Sequence, residues 1–244
     1  MTGPDVNATV SIGVLTGMGL EAALVREAAP HASLPVPPRI ECSGGTAAGA
    51  RAAAARLLAA GCSIVVSYGF AGGLDPKLQP GTIVVPERVV SADGASWTID
   101  RRRCDRLASA LADVTRPVGT VARGTVYGSD VPLLSVADKR AAHAAHGAVA
   151  VDMESHVLAQ AATQAERTFM VLRVVLDPAN HAIPPAALAA LRPDGGIAIG
   201  ALLGALARRP FQIPALVRLA GDSRRARAAL SAASAAALRA IRDL

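Results

Sequence analysis

The sequence predicts a single α/β domain with a mostly parallel, mixed central sheet flanked by helices and a helical C-terminal extension. Three observations predict it. Strand-like and helix-like segments alternate along most of the chain. Most strand-like segments are continuous apolar runs, as in strands covered on both faces. No linker or low-complexity break divides the 244 residues, a length compatible with one large domain and ample for a hydrophobic core. Residues 1–185 are expected to form the α/β part, and residues 186–244 an Arg-rich helical extension of the same domain.

Residues 10–15 read as a buried strand, followed by a glycine turn at Gly17 and Gly19 and a helix over 20–29 that ends near Pro30. Residues 39–42 form a short strand, and 46–60 an Ala-rich helix with Gly61 as its C-cap. The β-branched strand 63–67 runs into an expected glycine turn, Gly69-Phe70-Ala71-Gly72-Gly73. Strands follow at 82–90, 118–126, 148–151 and 168–176, alternating with helices at 101–111, 136–146 and 153–164. Beyond Pro184 the pattern is helical, broken by Pro193, Pro210 and Pro214.

Only 2% of residues are aromatic against 52% hydrophobic, so Ala, Val, Leu and Gly must fill the core through close helix–sheet contacts. The net charge of +6 is localised: residues 184–244 carry nine Arg and three Asp, and the rest of the chain is neutral. That quarter reads either as a solvated helix face or as a surface meeting anionic lipid. Nucleic acid is disfavoured, because few rings are present to stack bases and no zinc-finger or RNA-recognition signature occurs. Cys42, Cys62 and Cys104 match no metal motif, and an odd count gives no disulfide framework, which fits a reducing, cytoplasmic setting. The N-terminus MTGPDVNATV has no basic stretch, so no signal peptide is expected there. The longest apolar run, 195–207, falls short of the ~20 residues a membrane span needs.

On parallel sheets ligands gather at the carboxyl ends of strands. Residues 17–21, 69–73, 152–154 and Asp177 all fall there. The small residues of 69–73 admit close backbone approach to a ligand, or make a tight turn. The segment is neither G-x-G-x-x-G nor a P-loop. Asp152 reads as a cap for the helix that follows it. Glu154 can point into a crevice, where a carboxylate grips two vicinal hydroxyls. Asp177 is either an Asp-Pro turn residue or a desolvated carboxyl of raised pKa serving as general acid. Glu21 is either a helix-dipole carboxylate or a base that orients or deprotonates water. His143 and His146 lie three apart on a helix, a spacing that can chelate, but without acids nearby a solvated face is expected. His156 follows Glu154 and stands behind it. No metal and no organic cofactor are expected.

Taken in order and spacing, these segments resemble the purine nucleoside phosphorylase / methylthioadenosine nucleosidase superfamily, from Ile12 to about Pro185. The most specific pieces are SYGFAGGLDPKLQPGTIVV, AVAVDMESHVLAQAA and LRVVLDPAN. Together with the RRPFQIPALVRLA tail, they are most similar to its hopanoid-associated branch, also described as adenosylhopane nucleosidase. The resemblance implies a nucleoside phosphorylase-like fold and cleavage of a purine N-glycosidic bond. It assigns Met153 and Glu154 to the ribose, Asp177 to protonation of the purine N7, and Glu21 to activation of the attacking water. Phe70, Ala71 and Gly72 would line the substrate site, with Phe70 suited to a large apolar 5′-substituent.

Departures from the family pattern carry information. Phosphorylases place Arg at the position of Glu21, Arg at Ser67 and Ser at Phe70, so the phosphate grip is lost here. An acid at Glu21 repels phosphate, and hydrolysis is expected; Arg123 and Arg173 remain as alternative phosphate contacts that would permit phosphorolysis. Nucleosidases of this type stack the purine on an aromatic residue where this chain has Pro132, so Pro132, Leu133 or Tyr127 is expected to hold the base, with Asp130 structural. The implied substrate is adenosylhopane, cleaved to adenine and ribosylhopane, with methylthioadenosine or adenosylhomocysteine as alternatives. A homodimer or higher homo-oligomer is expected, with peripheral contact between the C-terminal region and an anionic inner membrane face. A non-catalytic nucleoside binder would have no need of acids at both ends of the scissile bond.

Overall fold

The computed structural model describes residues 10–115, 119–190, 198, 200 and 208–244. The chain runs β1 (Ile12–Thr16), α1 (Gly19–Ala28), β2 (Arg39–Cys42), α2 (Ala47–Ala59), β3 (Ile64–Gly73), β4 (Ile83–Val84), β5 (Arg88–Ser91) and β6 (Ser96–Thr98). It continues through α3 (Arg101–Thr115), β7 (Val121–Ala122), β8 (Thr125–Gly128), α4 (Val136–His146), β9 (Ala150–Asp152), α5 (Ser155–Gln164), β10 (Thr168–Asp177), α6 (Pro185–Ala190) and α7 (Ile213–Arg242). Residues 1–9, Pro193 and the apolar run 195–207 other than Ala198 and Gly200 lie outside the described residues, as does Val118, the expected start of a strand.

β3 is the hub of the mixed sheet. Its β-branched first half pairs in parallel with β1 on one side, Ile12 opposite Ile64. On the other side it pairs in parallel with β10 almost to its end, Thr168 opposite Ile64 and Asp177 opposite Gly72. Gly72 and Gly73 pair antiparallel with β9. The sheet order is β6-β5-β8-β9-β3-β10-β4-β7, with β1 and then β2 attached beside the first half of β3. The expected glycine turn at 69–73 is therefore strand. Pairing on both sides overrides the weak strand preference of glycine, and glycine in a strand marks close approach by another group.

Two expected strands are each divided. The run 82–90 splits around Pro86 into β4, which joins β10 and β7, and β5, which joins β8 and β6. Pro86 has no N–H to donate to a ladder. The run 118–126 splits at Gly124, whose φ is +137°. The short edge strand β6 was not foreseen; it pairs antiparallel with β5.

α7 is one thirty-residue helix with a proline in its first turn. Pro214 therefore starts it rather than breaking it, since the first-turn N–H has no helical partner to lose. Its buried face, including Ala226, Ala229, Leu230, Ala233 and Ile241, belongs to the same core as Ile12, Leu24, Leu107 and Leu172. Alanine on that face lets the helix ride close to the sheet. The Tyr68 hydroxyl on β3 donates to the Leu230 carbonyl at 3.3 Å and bonds the Ser234 hydroxyl. No helix among the described residues is long and apolar enough to cross a membrane.

Candidate active site

Glu21 sits in the first turn of α1, 2% exposed, with both carboxylate oxygens engaged. Oε2 accepts the backbone N–H of Gly17 at 2.7 Å and of Met18 at 2.8 Å. Oε1 accepts the N–H of Phe70 at 2.7 Å. Gly69 makes room for it: φ there is +150°, and a Cβ would lie 2.3 Å from Oε1. Burial raises the Glu21 pKa to about 7, against the lowering effect of Arg173, with Glu154 adding to the rise.

Arg173 on β10 is the cation at the centre of the cluster, 1% exposed. One terminal nitrogen donates to the Phe70 carbonyl at 3.2 Å; the other donates to Ser67 Oγ at 2.5 Å and Glu154 Oε2 at 3.1 Å. Its Nε lies 2.7 Å from Asp152 Oδ2. Asp152 Oδ1 in turn accepts the N–H groups of Glu154 at 3.1 Å and Ser155 at 2.9 Å. Asp152 was expected to cap this helix; the N-cap is Glu154, and Asp152, two residues earlier, binds the first N–H groups of the helix and also partners Arg173. The helix begins at Ser155 instead of residue 153.

Glu154 Oε1 accepts from the Ser43 hydroxyl at 3.1 Å. A Cβ on Gly17 would lie 2.9 Å from Glu154 Oε1 and 3.3 Å from Glu21 Oε2, so the two acids meet across that glycine. Burial raises the Glu154 pKa, Arg173 lowers it, and Asp152 raises it again. Three carboxylates around one guanidinium cannot all ionise cheaply inside a protein.

Asp177 ends β10. A register shift between Val175 and Asp177 inserts Leu176 as an extra residue and sets Asp177 opposite Gly72. Its Oδ2 lies 2.5 Å from Lys139 Nζ, and Lys139 is fully buried. Burial raises the Asp177 pKa and Lys139 pulls it back. A cavity of about 180 Å³ opens beside it, lined by Asp177, Asn180, His181, Arg218, Leu219 and Asp222. A larger groove of about 530 Å³ between α2 and α5 is lined by residues such as Arg51, Leu58, Val157 and Gln164, with no carboxylate among its walls.

Glu21, Glu154 and the backbone of Phe70 are therefore gathered round Arg173, four residues before Asp177 on the same strand. The Phe70 side chain packs in the main core, and Ala71 packs with Val84, Val126, Ala150 and Val175. Met153 is half-buried between β9 and α5. Pro132 is exposed in the loop after β8, and Leu133 packs against the cluster of Leu74, Tyr127, Ala142 and Ala148. Tyr127 stacks on His146, centroids 4.4 Å apart, so one face of its ring is taken. His143 Nδ1 is 2.8 Å from the Ala148 carbonyl. Both imidazoles are engaged locally, where a solvated face was expected. His156 Nε2 pairs with Asp130 Oδ1 at 3.2 Å. Arg123 is held by Glu87 at 2.8 Å and Asp105 at 3.1 Å.

Ser43, Lys139 and the pairing of Asp152 with Arg173 are the features of the candidate site that sequence reasoning missed; Arg173 itself was considered only as a phosphate contact. Arg173 left one signal, a charged residue inside a continuous apolar strand. Among the described residues no cluster of three or more His, Cys, Asp or Glu has metal-binding geometry.

Residues 36–191 match the sequence model of the phosphorylase superfamily. The chain is 28% identical over 152 residues to the 5′-methylthioadenosine/S-adenosylhomocysteine nucleosidase of Mycobacterium bovis, covering 48% of this chain and 60% of that protein. The same figures hold for the protein of that name from Mycobacterium tuberculosis. The chain thus spans about 60% of the length of the curated relatives it matches. Among solved structures, the fold is similar to that of a nucleosidase of the same name from Neisseria meningitidis in complex with methylthio-immucillin-A. The TM-score is 0.71 at 17% identity, over 94% of this chain and 99% of that one. Futalosine hydrolase of Helicobacter pylori is also similar, with a TM-score of 0.61 at 18% identity over 70% of this chain and 86% of that one. At these identities the likeness is one of fold.

Proposed function

The chain belongs to the phosphorylase superfamily, and from that premise we propose that it hydrolyses the N-glycosidic bond of a 5′-substituted adenosine. The observation that carries hydrolysis over phosphorolysis is the state of the two arginines able to meet a phosphate. Arg173 is held by Asp152, Glu154 and Ser67, and Arg123 by Glu87 and Asp105. Both cations are already neutralised, and a buried carboxylate stands beside the first.

In this reading Asp177 gives a proton to the purine N7. The C1′–N9 bond breaks with its electron pair going to the base. Glu154 holds the ribose hydroxyls beside Met153, and negative charge near C1′ favours the oxocarbenium-like state. Glu21 takes a proton from water as the water oxygen bonds C1′; a carboxylate with a pKa of about 7 is well poised as a base near neutrality. The products are free adenine and a ribose with a C1′ hydroxyl.

The 5′-substituent is proposed to be a hopane lipid, which rests on the branch-specific motifs. Methylthioadenosine and S-adenosylhomocysteine are the second reading, favoured by the names of the curated relatives. The proposal includes a homodimer acting in the cytoplasm, touching the inner membrane face through its Arg-rich C-terminal region.

Adenine release from adenosylhopane and from methylthioadenosine, each with and without phosphate, tests this. The expected result is release that ignores phosphate and leaves a free reducing ribosyl product. Release that requires phosphate would make the protein a phosphorylase. Release from methylthioadenosine alone would overturn the lipid substrate, and release from neither would overturn the nucleosidase reading.

A further inference from the structure

Lys139 is 0% exposed, yet its chain neighbours on α4 are exposed on both sides. Burying an ammonium is costly unless every N–H finds an acceptor. Among the described residues, all four of its acceptors lie in one short stretch. Nζ donates to Asp177 Oδ2 at 2.5 Å and to the carbonyls of Asp177, Pro178 and His181 at 3.4, 2.9 and 2.8 Å. The lysine is thus committed to the segment 177–181, which carries the acid and the edge of the adjoining cavity.

On the functional reading above, we propose that Lys139 is the positioning residue for Asp177. It clamps Oδ2 and the loop that follows, leaving Oδ1 to serve the departing base with a buried positive charge behind it. This resolves a chemical tension. A wholly desolvated Asp177 would be protonated but a feeble acid toward a purine nitrogen. An ammonium at one oxygen makes the proton on the other easier to give up.

Other charged groups face the acid. His181 stands in the loop, with Nδ1 3.1 Å from Asp222 Oδ2. Asp222 and Arg218 come from α7 across the cavity, and Arg225 is 3.1 Å from Asp222 Oδ1. Asp222 raises the Asp177 pKa, whereas Lys139 lowers it by charge and hydrogen bond. Of these described charged groups, only Lys139 bonds the carboxylate. Removing it must therefore tighten the hold of Asp177 on its proton.

The test is a carbon-13 titration of the aspartate carboxyls, assigned with Asp177→Asn, in wild type, Lys139→Met and Lys139→Gln. It is paired with pH profiles of kcat/KM on methylthioadenosine. The Asp177 midpoint is expected to rise by about one pH unit or more in both variants. The alkaline limb of kcat/KM should move up with it while the maximum falls; Lys139→Arg should restore the limb. An unmoved midpoint in either variant that keeps the wild-type near-ultraviolet circular dichroism overturns the proposal, whatever happens to turnover. The titration requires no catalysis, so an inactive protein with the expected shift would sink the functional reading and spare the clamp. If neither variant folds, the Lys139 Cε resonance in Asp177→Asn decides: a lowered ammonium midpoint supports the clamp, and an unchanged one overturns it.

Discussion

Glu21 is a carboxylate that its own amide cannot replace. Two backbone N–H groups converge on Oε2 and a third on Oε1. A glutamine in either flip sets an N–H against an N–H. Glu21→Gln is therefore expected to abolish turnover and to cost about 1–3 kcal/mol of stability, since a buried donor is left unpaired; denaturant unfolding and adenine release check both. With a pKa of about 7, Glu21 must lose its proton to act as base, so kcat/KM should fall as pH drops through about 7. For stability the sign is opposite. The folded value lies above the ordinary 4.5, so the contribution of Glu21 is fully present below about pH 4.5 and is lost as pH rises through about 7. The three candidate acids were legible in the sequence because each stands at the mouth of an apolar strand or in the glycine turn after one. Their long-range partners were not. Lys139 meets Asp177 across 38 positions, and Ser43 meets Glu154 across 111. Nothing local marks such pairs.

At the scale of elements, β3 and β10 build the site by register. The extra residue at Leu176 pulls Asp177 back by one rung, to Gly72. In an unbroken ladder it would meet Gly73, and the two-residue period would turn its side chain to the opposite face. Gly69→Ala tests the other half of the arrangement. Its Cβ would lie 2.3 Å from Glu21 Oε1, so that carboxylate must move, and on the proposed function turnover should fall nearly as far as in Glu21→Gln. Gly61→Ala is the control. It too has a positive φ, +76°, but meets nothing within 4 Å. It should cost about 1–2 kcal/mol from backbone strain and leave activity unchanged. Element type was legible wherever an apolar run was long. Breaks inside runs were not: Pro86-Glu87-Arg88 and Arg123-Gly124 interrupt the apolar runs 82–90 and 118–126, yet apolar residues resume beyond each break and the run reads as one strand.

At the scale of the molecule, α7 completes the core and is no detachable tail. Deleting residues 195–244 would strip Ala226, Leu230, Ala233 and Ile241 from the sheet and unfold the domain. Membrane contact must therefore be tested by point substitution. Phe211, Ile213 and Val217 are 76%, 48% and 67% exposed at the start of this helix, among exposed Arg208, Arg209 and Arg218. An apolar patch rimmed by arginine suits an anionic interface. The double variant Phe211→Asp, Val217→Asp is expected to lose about tenfold or more of its partitioning onto phosphatidylglycerol vesicles. Hydrolysis of a water-soluble nucleoside should be unchanged. Equal partitioning of variant and wild type in a sedimentation assay would remove the membrane from the account. The sequence marked the excess charge of this region but not its packing, since alanine periodicity looks alike on a free helix and a docked one.

Two of the three acids rest against missing side chains: Glu21 where Gly69 has no Cβ, and Glu154 where Gly17 has none. The mutational target of the site is accordingly wider than its chemistry. On the proposed function, single substitutions at five positions are expected to silence it, and two of those five carry no functional group at all. A lineage could lose this activity while every acid stayed in place, and a survey that counted only the acids would score the chain as intact.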